Sequence, residues 1–187
     1  MRLTAVLLLL VLATTTRAQL SVDEIKMVDW VDAQTAEIEA LVERTVNVNS
    51  GTMNHEGVRA VGAILRGELD GLDFETEWID MPAEIDRAGH LFARRDGTEG
   101  KRLLLIGHLD TVFEPDDKFQ DFVRDGSWAS GPGTVDMKSG NVIILYALKA
   151  LAQIGALDGT QIVVAYSGDE ESVGSPIKIS RRDLVEA

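Results

Sequence analysis

Three short segments of this chain carry imidazole and carboxylate side chains in a fixed order. They are GHLDTV at 107–112, GPGTVDMKSG at 131–140 and GDEES at 168–172. Each lies where a buried strand should give way to a loop or a helix, which is where an α/β sheet presents its chemistry. Imidazole and carboxylate groups together form a ligand set suited to zinc or a similar divalent ion. The three segments therefore predict a two-metal hydrolase site.

Five residues of these segments have predicted roles. His108 is a candidate metal ligand, and Asp110 is expected to accept the second ring proton of that histidine. Asp136 follows a glycine turn and has two oxygens, so it can bridge two ions. Of the adjacent acids, Glu171 is assigned as a ligand and Glu170 as the general base.

Surface groups, a phosphate-binding loop and a serine or cysteine nucleophile are the alternatives to a metal site. Two consecutive acids on a loop, or a single histidine, are more often solvated surface groups, so the prediction depends on the three segments together. A phosphate-binding loop would need glycine before Lys138, where this chain has Met137. The chain has no G-x-S-x-G elbow and no cysteine, which leaves a metal-activated water as the hydrolytic route. His55 is interpreted as a surface or capping residue, and His90 is assigned no chemistry.

The pattern of apolar residues predicts the elements that position these groups. One or two amphipathic helices are expected in 20–42 and another in 55–69, separated by turn residues at 47–54. Strands are predicted at 74–79, which would be a half-exposed edge strand, and at 91–94, 103–106 and 162–165. A long helix is predicted at 138–154, between the last two strands, and Gly155 is its expected end.

The order of the last three elements predicts where the site forms. The continuous apolar run 103–106 indicates a central strand covered on both faces. A strand, a helix and a second strand imply a right-handed crossover and a parallel pair, so both strands end at the same edge of the sheet. This arrangement would bring His108 and the loop 169–171 together, with Asp136 at the entrance to the crossover helix.

Composition limits the class of protein. The 187 residues, 45% of them hydrophobic, are enough for one domain with a core. The formal charge of -13 repels phosphate backbones, so nucleic acid is not an expected partner. The absence of cysteine leaves stability to the core and to bound metal.

The N-terminus has the pattern of a signal peptide. Arg2 precedes an apolar run at 3–13, and Thr16-Arg17-Ala18 offers small residues for cleavage after Ala18. The expected units are a signal peptide at 1–18 and a catalytic-domain segment at 19–187, with an exported, periplasmic or secreted location. An uncleaved anchor or a buried helix is the alternative. Removal of Arg2 and Arg17 would change the charge from -13 to -15, and no membrane association is expected after cleavage.

The three motifs as a set resemble those of the zinc-dependent exopeptidases and deacylases, a family that includes glutamate carboxypeptidase, aminoacylase, acetylornithine deacetylase and succinyl-diaminopimelate desuccinylase. GHLDTV is similar to the family's histidine motif, GPGTVDMKSG to the segment with the bridging aspartate, and SGDEESVGSP to the paired-glutamate motif. The resemblance implies an α/β fold with a layered sheet, a parallel core and helices on both faces. It also implies a zinc-exopeptidase-like catalytic domain, here truncated at the C-terminus.

The resemblance further implies a chemistry. His108, Asp136 and Glu171 would bind two divalent ions, with Zn²⁺ favoured and Co²⁺ or Mn²⁺ as alternatives, and Glu170 would act as base on an amide bond. The substrate would be a small peptide or an N-acyl amino acid, and a full-length form could be a homodimer. A further acidic ligand, a final histidine and an inserted smaller domain of the family are absent from these 187 residues. The chain is therefore expected to be an incomplete fragment with little activity alone, and a non-catalytic metal-binding remnant or interaction module is the alternative.

Overall fold

The computed structural model describes residues 19–187. The predicted signal peptide lies outside the described residues. The described chain forms a mixed α/β structure in which six helices surround a four-stranded sheet and a small hairpin. In chain order the elements are α1 Val22–Ala33, α2 Thr35–Val46, α3 His55–Asp70, β1 Glu75–Ile79, β2 His90–Arg95, β3 Glu99–His108, β4 Val123–Asp125, β5 Trp128–Ser130, α4 Ser139–Gln153, β6 Thr160–Ser167, α5 Ile177–Ser180 and α6 Arg182–Glu186.

The first helices begin at side-chain caps. The Ser21 hydroxyl accepts from the Glu24 amide at the start of α1, and the Glu24 carboxylate accepts from the Ser21 amide, which forms a capping box. The Asn54 side chain accepts from the Gly57 amide at the start of α3. The region 20–42, where one or two helices were predicted, contains α1 and most of α2, and α3 matches the predicted helix at 55–69.

The long helix α4 ends close to its predicted stop. It closes at Gln153, and Gly155 has a φ of +69°, a left-handed conformation that glycine adopts without steric cost. The amide of Ala156 then bonds to the Leu151 carbonyl. After this helix end the chain turns and enters β6, which pairs with β3.

The sheet has the strand order β1-β2-β6-β3. Strands β3 and β6 are parallel, as predicted, and their register pairs His108 with Ser167. The pairs β1–β2 and β2–β6 are antiparallel, so the sheet is mixed. The carboxyl ends of the parallel pair meet at one edge, which places the segments after both strands next to each other.

Helices cover both faces of the sheet to different extents. The main core packs α2, α3 and α4 against one face, with Val58, Leu65 and Leu145 fully buried or nearly so. On the other face Leu184 of α6 packs against a small cluster that contains Phe92 and Val163. No helix within 19–187 is long and apolar enough to span a bilayer.

The prediction of a central strand at 103–106 was wrong. In the described chain β3 pairs with β6 alone and lies at the edge of the sheet. Leu103, Leu104 and Ile106 are 49%, 41% and 57% exposed. A continuous apolar run indicates affinity for a core but does not state how many strands pair with it. Strand β1, by contrast, is the edge strand that its alternation predicted.

Candidate metal centre

His108 is the last residue of β3, and its ring is held between two aspartates. The side chain is buried, and Nδ1 lies 3.0 Å from the Asp110 backbone carbonyl oxygen. The nearer Asp110 carboxylate oxygen is 3.4 Å away, so the carbonyl is the better acceptor of the Nδ1 proton. The Asp110 carboxylate lies on the same side of the ring, so its role as acceptor of the second ring proton stays a prediction. On the other side of the ring, Nε2 lies 2.9 Å from Asp136 Oδ1.

The carboxylate of Asp110 also binds the backbone amides of the paired glutamates. It is fully buried and accepts hydrogen bonds from the amides of Glu170 and Glu171, each at 3.0 Å. It also accepts from the Thr52 hydroxyl at 2.7 Å. Burial raises the pKa of Asp110, but the hydrogen bonds from His108, Thr52 and the two amides outweigh burial and lower the pKa. Asp110 is therefore an ionised group that fixes the glutamate loop to β3.

Asp136 reaches the site from an irregular turn at Thr134–Lys138, immediately before α4. Gly133, before this turn, has a φ of +74°, and a Cβ there would lie 2.8 Å from a Thr111 methyl group. Glycine therefore allows the close approach that brings Asp136 to His108. The Asp136 side chain is 72% exposed, so its outer oxygen is open to a ligand.

Glu170 and Glu171 complete the group. One ligand atom from each of His108, Glu170 and Glu171 lies within 4.8 Å of the others, and Glu170 Oε2 is 4.0 Å from His108 Nε2. This group of three possible ligands thus includes Glu170, the predicted base. Asp136 contacts the group through its hydrogen bond to His108 Nε2. All five residues predicted for the site, His108, Asp110, Asp136, Glu170 and Glu171, lie together at the carboxyl ends of β3 and β6.

The electrostatics of this group fit a divalent cation. Burial lowers the pKa of His108, but hydrogen bonds to Asp110 and Asp136, with the charges of Asp110 and Glu170, outweigh burial and raise the pKa to about 9. Burial raises the pKa of Glu171, and the negative charges of Asp136, Asp110 and Glu170 raise it further, against the opposing effect of His108. Carboxylates so placed repel one another unless positive charge lies between them, and an imidazole with several carboxylate oxygens is a donor set that zinc accepts.

A second buried carboxylate anchors the glutamate loop from below. Asp169 is fully buried and accepts from the Gly174 amide at 2.9 Å and from the Arg181 guanidinium at 2.5 Å. A second guanidinium nitrogen of Arg181 bonds to the Asp169 carbonyl at 3.0 Å. The sequence predicts that Asp169 lies in the loop but does not reveal its role, because its partners follow along the chain with no recognisable motif.

His90, for which no chemistry was predicted, also holds the glutamate loop in place through a hydrogen bond to Gly168. It is fully buried, and its Nδ1 lies 3.2 Å from the Gly168 amide, from which it accepts. Its Nε2 lies 2.8 Å from the Ser180 carbonyl and donates to it. This histidine is thus a positioning residue outside the donor cluster. His55, in contrast, begins α3 and contacts the Asp86 carbonyl at a partly exposed position, in line with its surface interpretation.

Two further buried polar residues at the start of α4 bond to the backbone near the site, one of them to His108 itself. The Asn141 side chain donates to the His108 carbonyl at 2.6 Å. The Lys138 ammonium is buried, donates to the Val48 carbonyl at 2.8 Å, and has its pKa lowered to about 8 by burial. Both residues lie at the start of the crossover helix, so a polar residue on the inner side of that helix is the sequence signal that could have identified them.

The fold is of the zinc-exopeptidase-like α/β class that the resemblance implied, and the donor set lies at the sheet edge where the motifs predicted it. Comparison with known proteins gives the family. A model of the peptidase family M20/M25/M40 matches residues 104–186, a range that contains all five predicted site residues. The resemblance that the three motifs predicted is therefore confirmed for residues 104–186.

Relatives support the assignment. Carboxypeptidase G2 of Pseudomonas sp. (strain RS-16) is 37% identical over 158 residues, which are 83% of this chain and 36% of that protein. Succinyl-diaminopimelate desuccinylase of Methylobacterium nodulans (strain LMG 21967 / CNCM I-2342 / ORS 2060) is 34% identical over 149 residues, 75% of this chain and 37% of that protein. The chain thus spans somewhat more than a third of the length of either relative.

A solved structure agrees on the fold. The crystal structure of human carnosine dipeptidase 1 superposes with a TM-score of 0.73 at 18% identity, covering 87% of this chain and 37% of that one. At this identity the similarity concerns the fold alone.

Proposed function

We propose that this chain carries the metal-binding and proton-transfer half of an amide hydrolase site. One observation carries the proposal: His108, Asp136, Glu170 and Glu171 meet at the carboxyl ends of two parallel strands, and buried Asp110 holds both glutamate amides. A surface cluster of acids would not need a buried carboxylate to fix its backbone. The names of the two relatives, a carboxypeptidase and a desuccinylase, support amide hydrolysis.

In this proposal His108, Asp136 and Glu171 would be the ligands of two divalent ions, with Zn²⁺ favoured over Co²⁺ or Mn²⁺. Bound metal would polarise the amide carbonyl and acidify a water molecule. His108 presents Nε2 to the site because its Nδ1 proton is directed at the Asp110 carbonyl. Its metal-binding form is the neutral imidazole.

Glu170 is the general base of the proposed mechanism. Its carboxylate takes a proton from the attacking water and passes the proton to the departing amine nitrogen. Its side chain is 57% exposed and its backbone is held by Asp110, so the carboxylate can swing between the water and the leaving group while its Cα stays fixed. The proposed substrate is a small peptide or an N-acyl amino acid.

The 187-residue chain alone is proposed to hydrolyse such substrates slowly or not at all. The exposure of Asp136 and Glu170 supports this, because a site that excludes water needs walls around these groups. The same openness favours the second candidate function, a non-catalytic metal-binding remnant. Rapid turnover of an N-acyl amino acid by the zinc-loaded chain, abolished in Glu170→Gln, would refute both the slow-hydrolysis proposal and the remnant.

Zinc binding tests the site itself. Isothermal titration calorimetry on the metal-free chain should show zinc binding that His108→Asn weakens at least about tenfold, since a principal ligand is removed. His55→Asn is the matched control, because it removes a partly exposed histidine outside the cluster. Equal zinc affinity in His108→Asn and the wild type would refute the proposed centre.

Export and assembly are proposed on the sequence alone. The pattern at 1–18 supports a signal peptide and a periplasmic or secreted location. Expression of the chain followed by N-terminal sequencing of the exported product should give Gln19 as the first residue, and an intact Met1 in a cytosolic product would contradict export. The family resemblance supports a homodimer for a full-length form, which light scattering on that form would test.

A further inference from the structure

A cavity of about 440 Å³ opens directly beside the donor cluster. Asp136 and Glu171 form part of its wall, so a ligand held in the cavity is in contact with the proposed metal ligands. Its volume lies in the range of pockets that hold small molecules. The cavity is therefore placed to receive one end of a molecule whose other end is at the metal centre.

The remaining wall of the cavity is mainly apolar, although it faces solvent. Val112, Phe119 and Val135 line it and are 61%, 41% and 91% exposed. The rings of Phe113 and Phe119 pack edge to face with centroids 5.0 Å apart, which keeps the aromatic side of the wall in place. Exposed apolar side chains gathered beside a polar cluster are typical of a ligand-binding surface.

The charge of the wall limits what can bind there. Among the described residues that line the cavity there is no lysine, arginine or histidine, and the charged ones are Asp136 and Glu171. A ligand carboxylate placed against Phe119 or Val112 would lose water without gaining a cation or a charged hydrogen-bond donor. An uncharged hydrocarbon group would bury its own surface and that of the wall.

We propose that this cavity is a specificity pocket that binds a neutral aliphatic or aromatic group attached next to the scissile amide. The proposal rests on the proposed function, since it takes the amide to lie at the donor cluster. It defines the substrate class further: N-acyl amino acids or peptides with an apolar group at this position, in preference to substrates with a second carboxylate there.

Three hydroxamic acids that share one metal-binding head test the pocket without requiring turnover. They are acetohydroxamic acid, 3-phenylpropanohydroxamic acid and the monohydroxamic acid of succinic acid, titrated calorimetrically into the zinc-loaded 187-residue chain. The phenyl compound should bind about tenfold more tightly than acetohydroxamic acid, because its ring buries apolar surface. The succinic compound should bind no more tightly than acetohydroxamic acid.

Matched valine variants locate the effect. In Val135→Asn and in Val112→Asn the tenfold advantage of the phenyl compound should fall to about threefold or less, while acetohydroxamic acid keeps its affinity. Val185→Asn is the control, since Val185 is 84% exposed on α6 and does not line the cavity. Zinc stoichiometry is measured in each variant, because Val135 adjoins Asp136.

The outcomes separate the pocket from the proposed function. Binding of acetohydroxamic acid with no gain for the phenyl compound, or tightest binding of the succinic compound, overturns the pocket and leaves the metal centre intact. An advantage of the phenyl compound that persists in both cavity variants also overturns the pocket. Failure of every hydroxamate to bind a chain that holds zinc counts against the proposed function and the pocket together.

Discussion

Two carboxylates flank the same imidazole in opposite environments. Asp110 is fully buried and accepts hydrogen bonds from Thr52 and from two backbone amides. Asp136 is 72% exposed, and among the described residues its side chain makes a polar contact with His108 alone. The fold therefore fixes Asp110, the inner carboxylate, through hydrogen bonds, whereas Asp136, the outer carboxylate, stays open to solvent and to a ligand.

Removing the inner carboxylate should have the largest effect. In Asp110→Ala the two glutamate amides and the Thr52 hydroxyl lose their acceptor in a buried site, and the free energy of unfolding should fall by about 4 kcal/mol. Urea denaturation followed by circular dichroism measures this loss. Asp110→Asn keeps one oxygen and should lose less. A stability loss no larger than that of Asp136→Ala would contradict the contrast between the two aspartates.

The imidazole between them should make stability depend on pH in the metal-free chain. The pKa of folded His108 is about 9, raised by its carboxylate partners against the effect of burial, and that of an unfolded histidine is about 6.5. Because the folded value is higher, the stabilisation is complete below the unfolded pKa and is lost as the pH rises through the folded one. The contribution of His108 to the free energy of unfolding in EDTA, taken as the difference between the wild type and His108→Gln, should therefore fall by about 3 kcal/mol over that window.

Two comparisons sharpen this pH prediction. His108→Gln should remove most of the dependence, because the titrating group is gone while a polar side chain remains. Zinc should also remove it, since the bound form needs a neutral imidazole and releases the proton. Urea denaturation across the pH series measures both. If the wild type and His108→Gln show the same pH dependence, the folded ring does not keep its proton above the unfolded pKa and the prediction is wrong.

The same contrast explains what the sequence could predict. The parallel pair and the meeting of His108 with Glu170 and Glu171 followed from two apolar runs joined by a helix, since chirality and chain direction allow few other arrangements. The edge position of β3 did not follow, because hydrophobicity does not count strand neighbours. The hairpin β4–β5 was also missed, since its two strands have three residues each and are exposed throughout.

The supporting network was beyond sequence reasoning for a different reason. His90 bonds to Gly168 and Ser180, which are 78 and 90 residues away along the chain. Asp110 was recognised, but its role as acceptor for the Glu170 and Glu171 amides depends on the register of β3 and β6. Residues that carry the chemistry form local motifs, whereas residues that position them are brought together by the topology.

Changing the outer carboxylate should affect binding more than folding. Asp136→Asn should alter the free energy of unfolding by less than about 0.5 kcal/mol, as is usual for an exposed side chain. Zinc affinity should fall about tenfold, equivalent to about 1.4 kcal/mol, because a charged donor becomes neutral. Calorimetry and denaturation on the same preparation measure both quantities. Unchanged zinc affinity would place Asp136 outside the centre.

The smallest expected effect distinguishes the two glutamates. Both are held by Asp110, and a ligand atom of each lies within 4.8 Å of one from His108, so geometry alone would allow either to bind metal. If Glu171 is the ligand and Glu170 the base, Glu171→Gln should weaken zinc binding about tenfold and Glu170→Gln about twofold. Each substitution keeps the shape of the side chain and the backbone bond to Asp110, so stability is the internal control. Equal losses in the two variants would assign both glutamates to the metal and leave the base to be found elsewhere in the site.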